Sequence, residues 1–127
     1  MKLAVIGSRS FNDMELLNDT LSKYDIELLI SGGAKGADAL AEHYALKNNI
    51  PVLIFKPDWD IGKHAGFIRN TTIIESCDHV VAFWDGKSKG TMDSIKKAKM
   101  LGKQCDIITF PVFEVHIVTK VVLSKEI

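Results

Sequence analysis

Five short apolar runs rich in β-branched residues, at 3–6, 28–30, 52–55, 79–83 and 106–110, alternate along this chain with segments of helical period. Strands that are apolar on both faces need cover on both faces, and strands alternating with helices pair in parallel through right-handed crossovers. The pattern therefore predicts an α/β fold. Its form is a three-layer sandwich around a mainly parallel five-stranded sheet. The 127 residues suffice for one domain with its own core and are short for two.

The local punctuation agrees. Asn12 with Glu15 three residues on reads as a capping box, and Met14, Leu17 and Leu21 then share one helical face. A fourth helix is expected from about Thr91 to Leu101, with Met92, Ile95 and Ala98 on one face and Gly102 placed to stop it. Residues 1–110 make up the domain. Beyond them, residues 111–127 form a tail rich in valine and isoleucine, read as an extra strand on the same domain or on a partner subunit.

In sheets of this kind ligands bind outside the carboxyl ends of the strands, where strand order reverses. Every loop that follows a strand here carries the residue types such a site uses. Ser31-Gly32-Gly33-Ala34-Lys35-Gly36-Ala37-Asp38 follows the second run and opens a helix whose apolar positions are Ala37, Leu40, Ala41, Tyr44 and Ala45. A glycine turn lets backbone N–H groups approach a ligand, and a helix N-terminus adds unpaired donors and the positive dipole end. The chemistry it suits is anion binding, phosphate above all. Asp38 has two open roles, bonding a ribose hydroxyl or serving the helix dipole.

Gly7, Ser8, Arg9 and Ser10 form the first turn, with a guanidinium able to grip a phosphate bidentately. The third and longest loop holds Asp58, Trp59, Asp60 and Lys63, and leads to Arg69 and Asn70 near the start of the third helix. Trp59 is placed to stack on a nucleobase, and Arg69 to reach a phosphate or sugar oxygen. After the fourth run, Trp84, Asp85, Gly86, Lys87, Ser88, Lys89, Gly90 and Thr91 form a second anion cradle. Both arginines and both tryptophans of the chain fall in or near these turns.

Other classes fail on spacing. Gly36 is followed by Ala37 and Asp38, so the turn is not a P-loop, and no G-x-G-x-x-G is present; no cofactor is predicted. Histidines at 43, 64, 79 and 116 lack metal-ligand spacing, so no metal is expected. Cys77 and Cys105 form neither a metal pair nor a disulfide framework, which suits a reducing compartment. No apolar run reaches membrane-spanning length and no signal-peptide core follows Met1, so a soluble cytoplasmic protein without a membrane partner is expected. The formal net charge of zero provides no global pull toward a polyanion.

From about residue 3 to 108 the chain resembles the SLOG superfamily, specifically its YspA/YpsA-related group. The motifs are Gly7-Ser8-Arg9 with Phe11, the Ser31 to Asp38 turn, Pro57-Asp58-Trp59, Gly62-Lys63, Ala65-Gly66 with Arg69-Asn70, Ala82-Phe83-Trp84-Asp85-Gly86, and Ser88 with Gly90-Thr91. The resemblance implies a Rossmann-like fold and binding of nucleotides, nucleotide-derived signals or nucleic acid. Similarity to the lonely-guy phosphoribohydrolases matches their arginine, aspartate and Gly-Thr turn to Arg69, Asp78 and Gly90-Thr91. Their catalytic glutamate falls at Ser94, with Asp93 one position earlier and about 100 degrees round the helix. Similarity to DNA-processing protein A, through Gly-Ser-Arg and the Ser31 turn, implies single-stranded DNA binding and a basic track.

The leading expectation is thus a nucleotide or nucleotide-derived ligand held by the two cradles with Arg9 and Arg69, its base near Trp59 or Trp84. An N-glycosidic hydrolase using Arg69 and Asp93, and a single-stranded DNA binder, are the alternatives. A homo-oligomer is compatible with each.

Overall fold

A computed structural model describes residues 1–111. Its elements are β1 (Lys2–Gly7), α1 (Met14–Leu21), β2 (Leu28–Ser31), α2 (Ala37–Lys47), β3 (Val52–Ile54), a 3-10 turn (Trp59–Ile61), α3 (Ala65–Ser76), β4 (His79–Trp84), α4 (Lys89–Met100) and β5 (Gln104–Thr109). The sheet order is β3-β2-β1-β4-β5 and every pairing is parallel. The tail from 112 onward lies outside the described residues, and with it the expected extra strand.

Alternation along the central strand builds the three layers. Leu3 and Val5 of β1 join Phe11, Leu17, Leu21, Ala37 and Ala41 on the α1/α2 face. Ala4 and Ile6 point the other way, to Ile73, Ile74, Ile95 and Ala98 on the α3/α4 face. Ala37, Ala41 and Ala45 are all fully buried, and their small side chains let α2 lie close on the sheet. Phe11 stacks on Phe83 at 4.6 Å and meets Phe110 edge-on at 4.9 Å, which pins the first loop to the ends of β4 and β5.

Helix α1 is capped one residue later than the sequence spacing indicates. The Asp13 carboxylate accepts Leu16 N–H at 3.0 Å, so Asp13, not Asn12, is the N-cap. Among the described residues no helix is long and apolar enough to cross a membrane.

The chain runs from β1 out to β3 on one side, then returns through α3 to β4 on the other. The reversal lies between β1 and β4, and there the two following loops are stitched together. Ser8 N–H donates to Phe83 O at 2.9 Å, and Asp85 N–H donates to the buried Ser8 hydroxyl at 3.1 Å.

Candidate functional site

Two adjoining cavities open at the carboxyl edge of the sheet, of about 450 and 510 Å³. They share Arg9, Gly32, Ala34, Arg69, Asn70 and Gly90, so they are two halves of one cleft. Each is large enough for a small ligand.

The first half sits over the β1–β4 reversal. Gly7, Ser8, Arg9, Asp38, Asp85, Ser88 and Thr91 line it, beside the shared residues. Its wall is rich in hydroxyls, because Ser10 and Ser94 also face it. The second half is walled by Gly33, Trp59 and Lys63, together with Lys56 and Phe67.

The glycine turn after β2 folds inward. Gly36 has φ +76° and caps α2, and a Cβ there would meet the Ser8 and Arg9 carbonyls at 2.4 and 2.5 Å. Ala37 N–H donates to Ser8 O at 3.3 Å, so the turn is locked to the first loop. Asp38 Oδ2 accepts Ala34 N–H at 3.1 Å, and Gly33 N–H donates to the Ser31 hydroxyl at 3.3 Å. That hydroxyl donates in turn to Glu42 at 2.6 Å. The turn thus already holds an anion of its own, the Asp38 carboxylate. Burial pushes this group up to about 6, against the opposing pull of the Ala34 N–H and the Arg69 charge.

Arg69 ties the loops together. Its Nη1 donates to Gly32 O at 2.5 Å and Phe55 O at 3.4 Å, and its Nε to Asn70 Oδ1 at 3.1 Å. Burial lowers its pKa, the nearby Asp38 carboxylate raises it and Arg9 lowers it further. With Nη1 and Nε engaged, Nη2 is the nitrogen left to meet a ligand. Phe55, expected inside β3, lies one residue beyond it, where its carbonyl serves Arg69.

The loop after β4 is shaped by Asp85, which accepts the N–H groups of Lys87 and Ser88 at 2.8 Å each. These N–H bonds hold the Asp85 carboxyl below the usual carboxylate range. Ser88 then caps α4, accepting Thr91 N–H at 3.3 Å. Among the described residues no acceptor takes the N–H groups of Lys89 and Gly90, the first two of the helix. A Cβ on Gly90 would meet nothing within 4 Å, so there is room above that helix end.

Five of the sequence-predicted residues line neither cavity. Ser31 and Gly36 act inside the turn, and Asp58 caps the 3-10 turn by accepting Asp60 N–H at 3.2 Å. Trp84 is half-buried, its indole N–H donating to Ser88 O at 3.1 Å, whereas Trp59 is 60% exposed over Gly66. Asp93 is bonded by Lys97 at 2.7 Å and Asn70 at 3.2 Å, while Ser94 occupies the wall of the first cavity.

Asp78 requires a correction. It lies at the amino end of the sheet, where its carboxylate accepts Lys2 N–H at 2.8 Å. The six residues of β4 separate it from the cleft by roughly 20 Å, so the matched aspartate of the phosphoribohydrolase pattern has no place in this site. Sequence reasoning also missed Lys56 and Phe67. Lys56 had one signal, a cation two positions past an apolar strand on the carboxyl side.

The model of the YspA, cpYpsA-related SLOG family matches residues 1–62. The Gene 61 protein of Mycobacterium phage D29 is 30% identical over 114 residues, covering 80% of this chain and 90% of that protein. Among solved structures, DNA processing protein A from Streptococcus pneumoniae superposes with a TM-score of 0.74 at 18% identity. That match covers 94% of this chain and 56% of the other, so this chain spans little more than half of that protein. DNA processing protein A from Helicobacter pylori, a protein with a single-stranded DNA binding mode, gives a TM-score of 0.60 at 19% identity, covering 98% of this chain and 81% of that one. At these identities the two structures share its fold.

Proposed function

This chain belongs to the YspA, cpYpsA-related SLOG family, and from that premise we propose that its cleft binds a nucleotide or nucleotide-derived small molecule. The observation that carries this reading is the end of α4. Among the described residues the N–H groups of Lys89 and Gly90 have no acceptor, and Gly90 lines the cleft beside Ser88 and Thr91, with Arg9 on the same wall. Such an end attracts a phosphate by its donors and by the helix dipole. The hydroxyl-rich first cavity suits a sugar, and the exposed Trp59 indole at the other half suits a base.

Arg9, Ser88, Gly90 and Thr91 would hold the phosphate, Asp38 and Asn70 would face the sugar, and Arg69 would offer its remaining Nη2. Calorimetry with adenosine 5′-monophosphate tests this. Binding that weakens at least about tenfold on Arg9→Ala is the expected result. No heat with adenosine, thymidine or guanosine monophosphates, or with ADP-ribose, would overturn it.

A second reading is single-stranded DNA binding, favoured by the fold shared with DNA processing protein A. It predicts an affinity for oligothymidylate that falls steeply with salt. An N-glycosidic hydrolase has weaker support: the glutamate position holds Ser94, and Asp93 is engaged by Lys97.

A further inference from the structure

Four cations border the second cavity: Arg9, Lys56, Lys63 and Arg69. No carboxylate lines it, and none of the four forms an ion pair among the described residues. In a chain whose formal net charge is zero, this is a local excess that opposes itself until something anionic enters. Arg9 and Arg69 are shared with the first cavity, where Asp38 acts on Arg69, so Lys56 and Lys63 are the cations particular to the second.

Arg69 is anchored by its hydrogen bonds to Gly32 O, Phe55 O and Asn70 Oδ1, and Lys56 has its space set by a glycine. Lys56 runs along the glycine turn, its Cγ and Cε each 3.3 Å from where a Cβ on Gly33 would lie. Gly33 has φ +71°, and a side chain there would displace both Lys56 and Ile54. Across the cavity, Trp59 and Phe67 keep 60% and 43% of their surface exposed. A neutral base stacked on Trp59 needs no lysine beside it, so the stacking surface alone does not account for Lys56 and Lys63.

We propose that the second cavity is an anion subsite, so that the cleft takes a nucleoside flanked by two phosphates, one at the end of α4 and one between Lys56 and Lys63. This rests on the nucleotide-binding reading and adds the class of ligand. The same chemistry comes from a free nucleoside 3′,5′-bisphosphate or from one unit of a nucleic-acid strand.

Calorimetry on the full chain would compare adenosine 5′-monophosphate, adenosine 3′,5′-bisphosphate, ADP and oligothymidylate. ADP also adds one phosphate, with one negative charge fewer than the bisphosphate, and on one side of the sugar only. The bisphosphate should bind about tenfold or more tighter than the monophosphate, with ADP gaining much less. The double variant Lys56→Ala/Lys63→Ala should abolish the difference, with a much smaller loss for the monophosphate than for the bisphosphate. Both lysines are exposed, so folding should survive. Equal affinity for mono- and bisphosphate, an equal gain with ADP, or equal loss for both ligands in the double variant would overturn the subsite while leaving the nucleotide site standing. Absence of binding by all four ligands would remove both. Lysine-dependent binding of the bisphosphate without the oligonucleotide identifies a free small molecule as the source, and lysine-dependent binding of both identifies a strand.

Discussion

The α-carbon of Gly36 lies so close to the Ser8 carbonyl that a Cβ added to it would be 2.4 Å from that oxygen. Two loops separated by a strand and a helix are thereby pressed backbone to backbone, and Ala37 N–H bonds the same carbonyl. A side chain at 36 meets both this contact and a φ of +76°. Gly36→Ala should therefore cost about 3 kcal/mol or more. Urea unfolding measures it, and a loss under 1 kcal/mol would show that the loops give way easily.

Asp38 predicts how stability depends on pH. Its folded pKa is raised from 3.8 to about 6, so the folded state binds the proton more tightly than the unfolded state. The resulting stabilisation is fully present below about pH 4 and is lost as pH rises through about 6. Relative to Asp38→Asn, the wild type should lose roughly 2–3 kcal/mol across that window. Unfolding curves at pH 4.5 and 7.5 give the difference. If it is the same at both, the buried carboxylate is compensated by its N–H donors and Arg69.

The same charge acts on ligands. An ionised Asp38 in the lining of the first cavity opposes an incoming phosphate. Phosphate-ligand affinity should therefore rise as pH falls from 7.5 to about 5.5, and Asp38→Asn should flatten that rise. Affinity independent of pH in the wild type would mean that the phosphate lies too far from Asp38 to feel it.

Asp85 should matter through geometry. Its carboxylate takes two N–H groups of the turn that delivers Ser88 and Gly90 to the cleft. Asp85→Ala should cost about 1 kcal/mol of stability and weaken phosphate binding several-fold. Asp78→Ala, at the far end of the sheet, should cost similar stability and leave binding unchanged. Equal losses of binding in both variants would contradict the separation of the two ends of the sheet.

The architecture was legible because each element carried its own period. Apolar runs marked all five strands, and Gly102, with φ +68° just beyond α4, marked a helix end. The cleft was legible as loops, since a parallel sheet sends every strand's carboxyl end to one side. What residue type could not show was direction. Ser31 and Asp38 have the hydroxyl and carboxylate of ligand groups, yet both are bonded within their own turn. Asp78 kept the right spacing from Arg69, but nine residues of helix and turn carried it to the opposite edge. Lys56 was missed because its place in the cleft wall depends on Gly33, twenty-three residues earlier in the chain, whose missing side chain leaves it room.

The two tryptophans offer a direct readout of where a base would sit. Trp59 is 60% exposed at the second cavity, whereas Trp84 is half-buried with its indole N–H on Ser88 O. A base stacking on Trp59 removes water from that indole, so saturating nucleotide should shift the emission to the blue and quench it. Trp84→Phe should retain the response and Trp59→Phe should lose it. Trp59→Phe should also weaken base-containing ligands about fivefold or more, while inorganic phosphate is unaffected. A response that persists without Trp59 would place the base elsewhere in the cleft, against the hydroxyl-rich wall of the first cavity.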